Sequence, residues 1–400
     1  MTYASSPVPA SPVVENTFLK MLPITLAVFV GFVTFGLALP VLPLHLHYTL
    51  DMSPVVVGVA IGCQFAAALL SRAWSGALAD TRGGKRAMLL GLPVAAVAGI
   101  FYLASLALIA TPTASLGVLL LGRLLLGCGE SLIITGALSW GIGLVGPGNA
   151  GKVMAWIGMA MYGAFAAGAP LGTFIYGRYD FLGIAFATIV IPLLALDFVI
   201  PAAPVAVIAA AKRLPFYKVL GTVWVPGLGM GLCCVGFGVI TTFMALLFAA
   251  RNWGSASLAF SAFGAAFIGA RLLFAHLPDK IGGARVALVC VLIETAGQLL
   301  IWQAAGAAMA YAGAALTGIG YSLAFPGFGV EAVRRAPPQS RGAAMGAFVA
   351  FFDIAVGLTG PAAGAIAGAA GVNAVYLAGA CAVALSTFVA GYLLVNKPTA

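Results

Sequence analysis

Long apolar runs, interrupted by short clusters of Gly, Pro and charged residues, occupy almost the whole sequence. Each run is about 20 residues or longer, enough to cross a hydrocarbon core roughly 30 Å thick. A backbone in lipid must satisfy its hydrogen bonds internally, and the runs lack the apolar/polar alternation of a barrel strand, so each is expected to be a helix. The first extends from Lys20 to Pro43; it is too long for a signal-peptide core and has no small-residue cleavage pattern. Further spans are expected at 53–74, 87–110, 115–143, 153–177, 181–201, 219–249, 256–277, 285–305, 307–330, 342–370 and 373–394, making twelve. Residues 1–17, rich in Pro, Ser and Val, read as a disordered cytosolic tail, and 202–218, with Pro204, Lys212, Arg213, Pro215 and Lys218, as a cytosolic linker between six-helix bundles at 18–201 and 219–395.

Composition sharpens this picture. The chain is 62% hydrophobic and 7% charged, whereas a soluble domain is roughly half apolar with about a quarter of its residues charged. A net charge of +9 would by itself suit nucleic acid, but its placement argues against that partner. With the N-terminus cytosolic, the inner side receives Lys20, Arg82, Lys85, Arg86, Lys152, Lys212, Arg213, Lys218, Lys280, Arg285, Arg334, Arg335, Arg341 and Lys397, and the outer side only Arg178 and Arg251. That asymmetry predicts both termini inside. The six cysteines lie in apolar runs without Cys-x-x-Cys pairing, as small core residues. The tryptophans fall mostly near span ends, as an interfacial belt requires.

The polar stretch Gly76-Ala-Leu-Ala-Asp80-Thr-Arg82-Gly83-Gly84-Lys85-Arg86 has an echo, Pro278-Asp279-Lys280-Ile-Gly282-Gly283-Ala-Arg285. Arg72 precedes Asp80, and Arg271 precedes Asp279, by the same eight positions, a repeat offset of 279 − 80 = 199 in a chain of 400 residues. Two equal halves follow. These stretches resemble the signature loops between helices 2 and 3, and 8 and 9, of major facilitator superfamily transporters. The resemblance implies an all-α membrane protein with 12 transmembrane helices in two pseudo-symmetric six-helix bundles. It also implies that Asp80, Arg82, Gly83 and Arg86, with Asp279, Gly282 and Arg285, form an inner gate.

Other segments extend the resemblance. Gly36 to Pro43 is similar to the family's first-helix Pro-x-x-Pro motif, and the prolines are expected to bend or end that helix. Gly122-Arg123 through Gly129-Glu130-Ser131 resembles the fourth-helix motif. Arg123 and Glu130 are seven apart, on one helix face with roughly 10 Å of rise between them. Ionisable groups within a bilayer usually face a cavity and mark an ion or substrate path; the bland alternative is an internal pair positioning helix 4 against helix 1 or 2. Gly168-Ala-Pro170-Leu-Gly172 is a partial match to the antiporter motif, with Gly360-Pro361 as its counterpart, and suits either a gasket between moving halves or ordinary small-residue packing. Asp353 lies near the middle of helix 11 in an apolar run, as a proton carrier would, or as the partner of an arginine near the helix 10–11 end. Glu331 with Arg334 and Arg335 reads as a cytosolic gate network, and Glu294 with Gln298 as structural. These blocks resemble the YhhS/YfcJ-like branch of drug-efflux-type facilitators.

The resemblance and the sparse intramembrane charge together predict a proton-coupled antiporter that exports small apolar or amphipathic organic compounds by alternating access. Glu130, Asp353 and Arg123 are the coupling residues in this reading. Proton-driven uptake of a metabolite is the alternative, and a non-transporting sensor or assembly partner a remote one. The expected setting is a bacterial inner membrane, as a monomer. No phosphate loop points to ATP, no nucleophile and base can be placed together for an enzyme, and no cofactor is implied. His45, His47, Tyr48 and Asp51 cluster in the first outer loop, but two histidines two apart in a loop make a weak metal site.

Overall fold

In a computed structural model, the described residues are 17–146, 149–205, 216–336 and 341–396, less the side chains of 17–18, 216–220, 279 and 341–343. The expected tail, most of the linker, and the side chains of Asp279 and Arg341 lie outside the description. Among the described residues eleven helices are long and apolar enough to cross a membrane, and no strand occurs. One of the eleven contains two spans, because Ala150–Leu194 breaks at Asp180, whose backbone turns to φ 52°.

The twelve spans are α1 (Thr17–Leu44), α2 (Pro54–Arg82), α3 (Gly84–Ala107), α4 (Pro112–Val145), α5 (150–179), α6 (181–194), α7 (Phe216–Arg251), α8 (Ser257–Phe274), α9 (Gly283–Trp302), α10 (Ala307–Arg335), α11 (Arg341–Ala370) and α12 (Val372–Val395). Local chemistry sets several ends. Ser53 caps α2 by accepting from Val56 N, with Pro54 in the first turn where its missing N–H costs nothing. The α-helical part of α1 ends at Leu44, one residue past Pro43, and the chain continues as a wider π turn, His45–Thr49. The Gly36 face of α1 packs closely against the backbone of Ala164 and Gly168. At that end His45 stacks on Phe181 at 3.9 Å, and His47 Nδ1 donates to the Met52 carbonyl.

Within the N-terminal six, α3 packs on α4, α1 on α5, α2 on α4, and α3 on α6; the C-terminal six repeat this as α9 on α10, α7 on α11, α8 on α10, and α9 on α12. The halves meet through α2 and α11, α5 and α8, and α1 and α7. Backbone conformation carries the repeat. Gly83 (φ 92°, ψ 148°) and Gly282 (φ 97°, ψ 142°) are 199 apart and share one left-handed geometry that a Cβ would strain. The glycine after each packs on a glycine of the fourth helix of its half, Gly84 on Gly136 and Gly283 on Gly327. Asp51 and Asn252 turn the first loop of each half at φ 52° and 54°, and Asp180 and Gly371 the last.

The α2–α11 seam is closest toward the α1–α2 loop. A Cβ on Gly58 would overlap the carbonyl of Gly360, and one on Gly62 the carbonyl of Gly357. By contrast, Gly168 and Gly172 pack on Gly36 and Leu37 of α1, inside their own half. The first glycine stretch therefore joins helices of one half and its counterpart spans both. Trp140 also departs from the interfacial pattern: it is buried, and its indole N–H donates to the Ala203 carbonyl 3.0 Å away.

Candidate functional site

Three polar contacts are stacked along α2. Ala60 and Gln64, one turn apart, face α4 across a close approach in which a Cβ on Gly127 would overlap the Gln64 carbonyl. Arg123 and Glu130, sharing a face of α4, meet them there: Arg123 Nε donates to the Ala60 carbonyl at 3.0 Å, and Gln64 Nε2 donates to Glu130 Oε2 at 2.7 Å. Two turns further on, Arg72 reaches across to the other half. Its Nε and Nη2 lie 2.7 and 2.6 Å from Asp353 Oδ2. Asp353 is 1% exposed, and its Oδ1 has no hydrogen-bond partner among the described residues.

The sequence puts Asp353 in mid-membrane and offers an arginine near the helix 10–11 end as its partner. The arginine comes instead from α2 of the opposite half, because the loop arrangement brings α2 and α11 side by side. Gln64 has no distinguishing mark in the sequence, and Arg72 serves there only to fix the repeat. A signal is nonetheless present: subtracting the fourteen inner and two outer basic residues from the 19 leaves Arg72, Arg123 and Arg271, each inside an apolar span. An arginine retained there needs a partner or a function.

Aromatic rings from both halves fill the region beside this bridge. Phe165 of α5 stacks with Phe237 of α7 at 6.1 Å and Phe237 with Tyr321 of α10 at 5.4 Å, and Tyr162 of α5 meets Phe267 of α8 at a tilt with ring centres 4.0 Å apart. Phe352 of α11 and Phe65 of α2 extend the cluster to the α2–α11 seam. Tyr162 donates its hydroxyl to Tyr321 across the halves at 3.0 Å, and Ser261 Oγ donates to the Ala166 carbonyl at 2.7 Å.

Glu294 is separate from this interface. It is buried among α7, α9 and α10, where Cys233 Sγ donates to its Oε2 at 2.8 Å and Gln298 Nε2 donates to Gly236 O and Thr317 Oγ1. All of these residues belong to the C-terminal half.

At the end carrying the α2–α3 loop, Asp80 lies half-buried in the last turn of α2, and Arg82 and Arg86 are exposed. Lys85 Nζ donates to the carbonyls of Ile200 and Ala202 at 2.8 and 2.6 Å, satisfying backbone groups at the end of the N-terminal six. Arg82, Lys85, Arg86, Pro204 and Val205 line a recess of about 410 Å³. In the second half Arg285 is exposed and Glu331 joins three elements. Its carboxylate accepts from Ala284 N at the start of α9, lies 2.6 Å from Arg335 Nη1 and 3.6 Å from Arg334 Nη1, and Arg335 Nη2 donates to Asn396 O beyond α12.

Twelve spans in two repeated sets of six, meeting through three helix pairs with a buried ion pair between them, define the architecture of a secondary membrane transporter. The sequence matches the Major Facilitator Superfamily over residues 24–254 and 227–400, and the chain belongs to that family. It is 42% identical over 369 residues to an uncharacterized MFS-type transporter of Salmonella typhimurium, covering 92% of this chain and 95% of the relative. An uncharacterized MFS-type transporter of Pseudomonas aeruginosa is 43% identical over 372 residues, with 93% and 92% covered. Among solved structures, a point mutant of the nucleoside transporter NupG superposes with a TM-score of 0.74 at 14% identity over 94% of this chain and 99% of that one. A bacterial homologue of the human lysosomal transporter Spinster, inward-facing and unoccupied, gives 0.72 at 14% identity over 96% and 97%. Both likenesses speak for the fold.

Proposed function

We propose that this membrane transporter is a proton-coupled antiporter that exports small amphipathic organic compounds by alternating access, working as a monomer with both termini in the cytosol of a bacterial cell. The observation that carries the reading is the Arg72–Asp353 bridge, which ties α2 to α11 across the halves and leaves Asp353 Oδ1 without a partner among the described residues. A proton bound at that oxygen would discharge the carboxylate and weaken the pair, so that α2 and α11 could part; loss of the proton would restore the pair and draw them together. Glu130 of α4 is tied through Gln64 to the same helix, α2, and is the second carboxylate in the relay. Arg123 holds α4 to the Ala60 carbonyl and keeps Glu130 in register with Gln64.

The aromatic cluster would line an apolar path between the halves once they part, and the small number of buried charges disfavours highly charged cargo such as sugar phosphates. The tight Gly58–Gly360 and Gly62–Gly357 approaches would close one end. The Asp80 loop and the Glu331–Arg335 network would brace the other.

The test is proton release from acid-loaded inverted vesicles on adding a panel of lipophilic cations, neutral antimicrobials and small organic acids. Wild type should dissipate the gradient with at least one class, and Glu130→Gln and Asp353→Asn should not. Undiminished proton release in both variants would remove these carboxylates from the coupling.

A further inference from the structure

The two halves repeat at offsets of 199 for the loop glycines Gly83 and Gly282 and 191 for the turns at Asp180 and Gly371. Arg72 and Arg271 are related by the first offset (271 − 72 = 199), and Tyr162 and Asp353 by the second (353 − 162 = 191). The α5–α8 contact between halves is thus the counterpart of the α2–α11 contact, and Tyr162 stands toward Arg271 where Asp353 stands toward Arg72. In one pair the arginine has a carboxylate. In the other it faces a phenol.

Arg271 is 8% exposed. Its Nε lies 3.4 Å from Ser322 Oγ, Nη2 donates to the Ser322 carbonyl, and its guanidinium carbon sits 5.1 Å from the centre of the Phe267 ring. Tyr162, Tyr321 and Cys290 are its other polar neighbours, and among the described residues no carboxylate is paired with it. Serine and a ring face offset only part of the cost of a buried cation. A cation kept in a membrane interior without a protein counter-ion is fitted to receive one from a ligand.

We propose that Arg271 receives the carboxylate of an aromatic organic monoacid, whose ring packs among Tyr162, Phe263, Phe267 and Tyr321. The planar fork of the guanidinium matches a carboxylate in a two-bond geometry. The rings beside it offer edge and face contacts to an aromatic body. A single cation with no carboxylate paired to it among the described residues suits one negative charge better than a phosphate dianion. When the halves part, the C-terminal half keeps Arg271 and Phe267 together on one helix, and Tyr162 leaves with the other half. The inference rests on the reading that substrate passes between the halves, and it names the substrate class for that path.

The test uses the full chain in lipid nanodiscs, with empty nanodiscs as the partition blank, and measures calorimetric binding of three probes of one shape: 2-naphthoate, its neutral amide and 2-naphthylmethylammonium. Wild type should bind the acid about tenfold more tightly than the amide, the value of one charge-assisted pair, and the cation more weakly still. Arg271→Gln should lose the preference, its affinity for the acid falling to the level of its affinity for the amide. Arg271→Lys, which keeps the charge without the fork, should retain part of the preference, and carries the test if the glutamine variant does not fold. Equal binding of acid and amide by wild type, binding of none of the three, or a full preference surviving in Arg271→Gln would each overturn the proposal. Arg271-dependent binding of the acid without proton movement in vesicles would sink the coupling reading and leave this one standing. Proton-linked export of neutral compounds with no acid preference would do the reverse.

Discussion

Arg72 and Asp353, 281 residues apart in sequence, are joined by two nitrogens of one guanidinium on a single carboxylate oxygen, in the seam between the halves. Such a pair is poor evidence for stability as such, because desolvation offsets much of its attraction. Its position makes it an apt latch.

Removing either partner leaves the other charge uncompensated, at a cost of roughly 3–5 kcal/mol for a buried pair. Arg72 is 21% exposed, so the lower part of that range is expected. Thermal unfolding of Arg72→Ala, Asp353→Ala and the double variant should show the double losing clearly less than the two singles combined. Additive losses would mean the pair is not energetically coupled.

Gln64 holds Glu130 by one 2.7 Å hydrogen bond in a buried site. Gln64→Leu removes the donor and should cost about 1–3 kcal/mol for the unsatisfied carboxylate. Proton-coupled flux should also fall, as in Glu130→Gln, because Glu130 is no longer oriented. Normal flux in Gln64→Leu would show that Glu130 works without that bond.

A methyl on Gly360 would run into the Gly58 carbonyl, whereas Gly76 on α2 has open space around its added carbon. Gly360→Ala should destabilise by about 1–3 kcal/mol through overpacking. Gly76→Ala should be neutral or gain up to about 1 kcal/mol from helix propensity. Matching melting shifts in the two variants would contradict the close seam. If the seam closes one end of the transport path, Gly360→Ala should also raise thiol labelling of cysteines introduced near that end.

Glu294 sits inside one half, with Cys233 of the same half as its donor. Glu294→Gln retains an acceptor for Cys233 and should transport normally with a small loss of stability. Glu294→Leu should lower the melting temperature further by leaving the buried Cys233 thiol without its acceptor. Abolished coupling in a well-folded Glu294→Gln would move this residue into the proton path.

Much of this molecule is legible in the linear sequence. Span number, the halves and the signature loops follow from local chemistry: lipid demands about 20 apolar residues per crossing, and left-handed turns demand glycine or Asp/Asn. Gly83 and Gly282 are recognisable for that reason, and so is Asp353 as a charge in an apolar run. The Asp180 turn is also legible as a gap between spans, with helix running up to it on both sides.

Partnership is not legible. The arginine that answers Asp353, the glutamine that answers Glu130, and the absence of an acid opposite Arg271 among the described residues depend on which helix faces of separate halves come together. Periodicity assigns a residue to a face of its own helix and carries no information on the helix that face will meet. Gly168 and Gly360 show the same limit: alike in sequence setting, one packs inside its half and the other across the seam. The sequence by itself determined what crosses the membrane and where the chain turns, because those are solvent and backbone constraints on each segment. Only the tertiary structure decided which charges are paired, because burial and pairing belong to the packed assembly of helices.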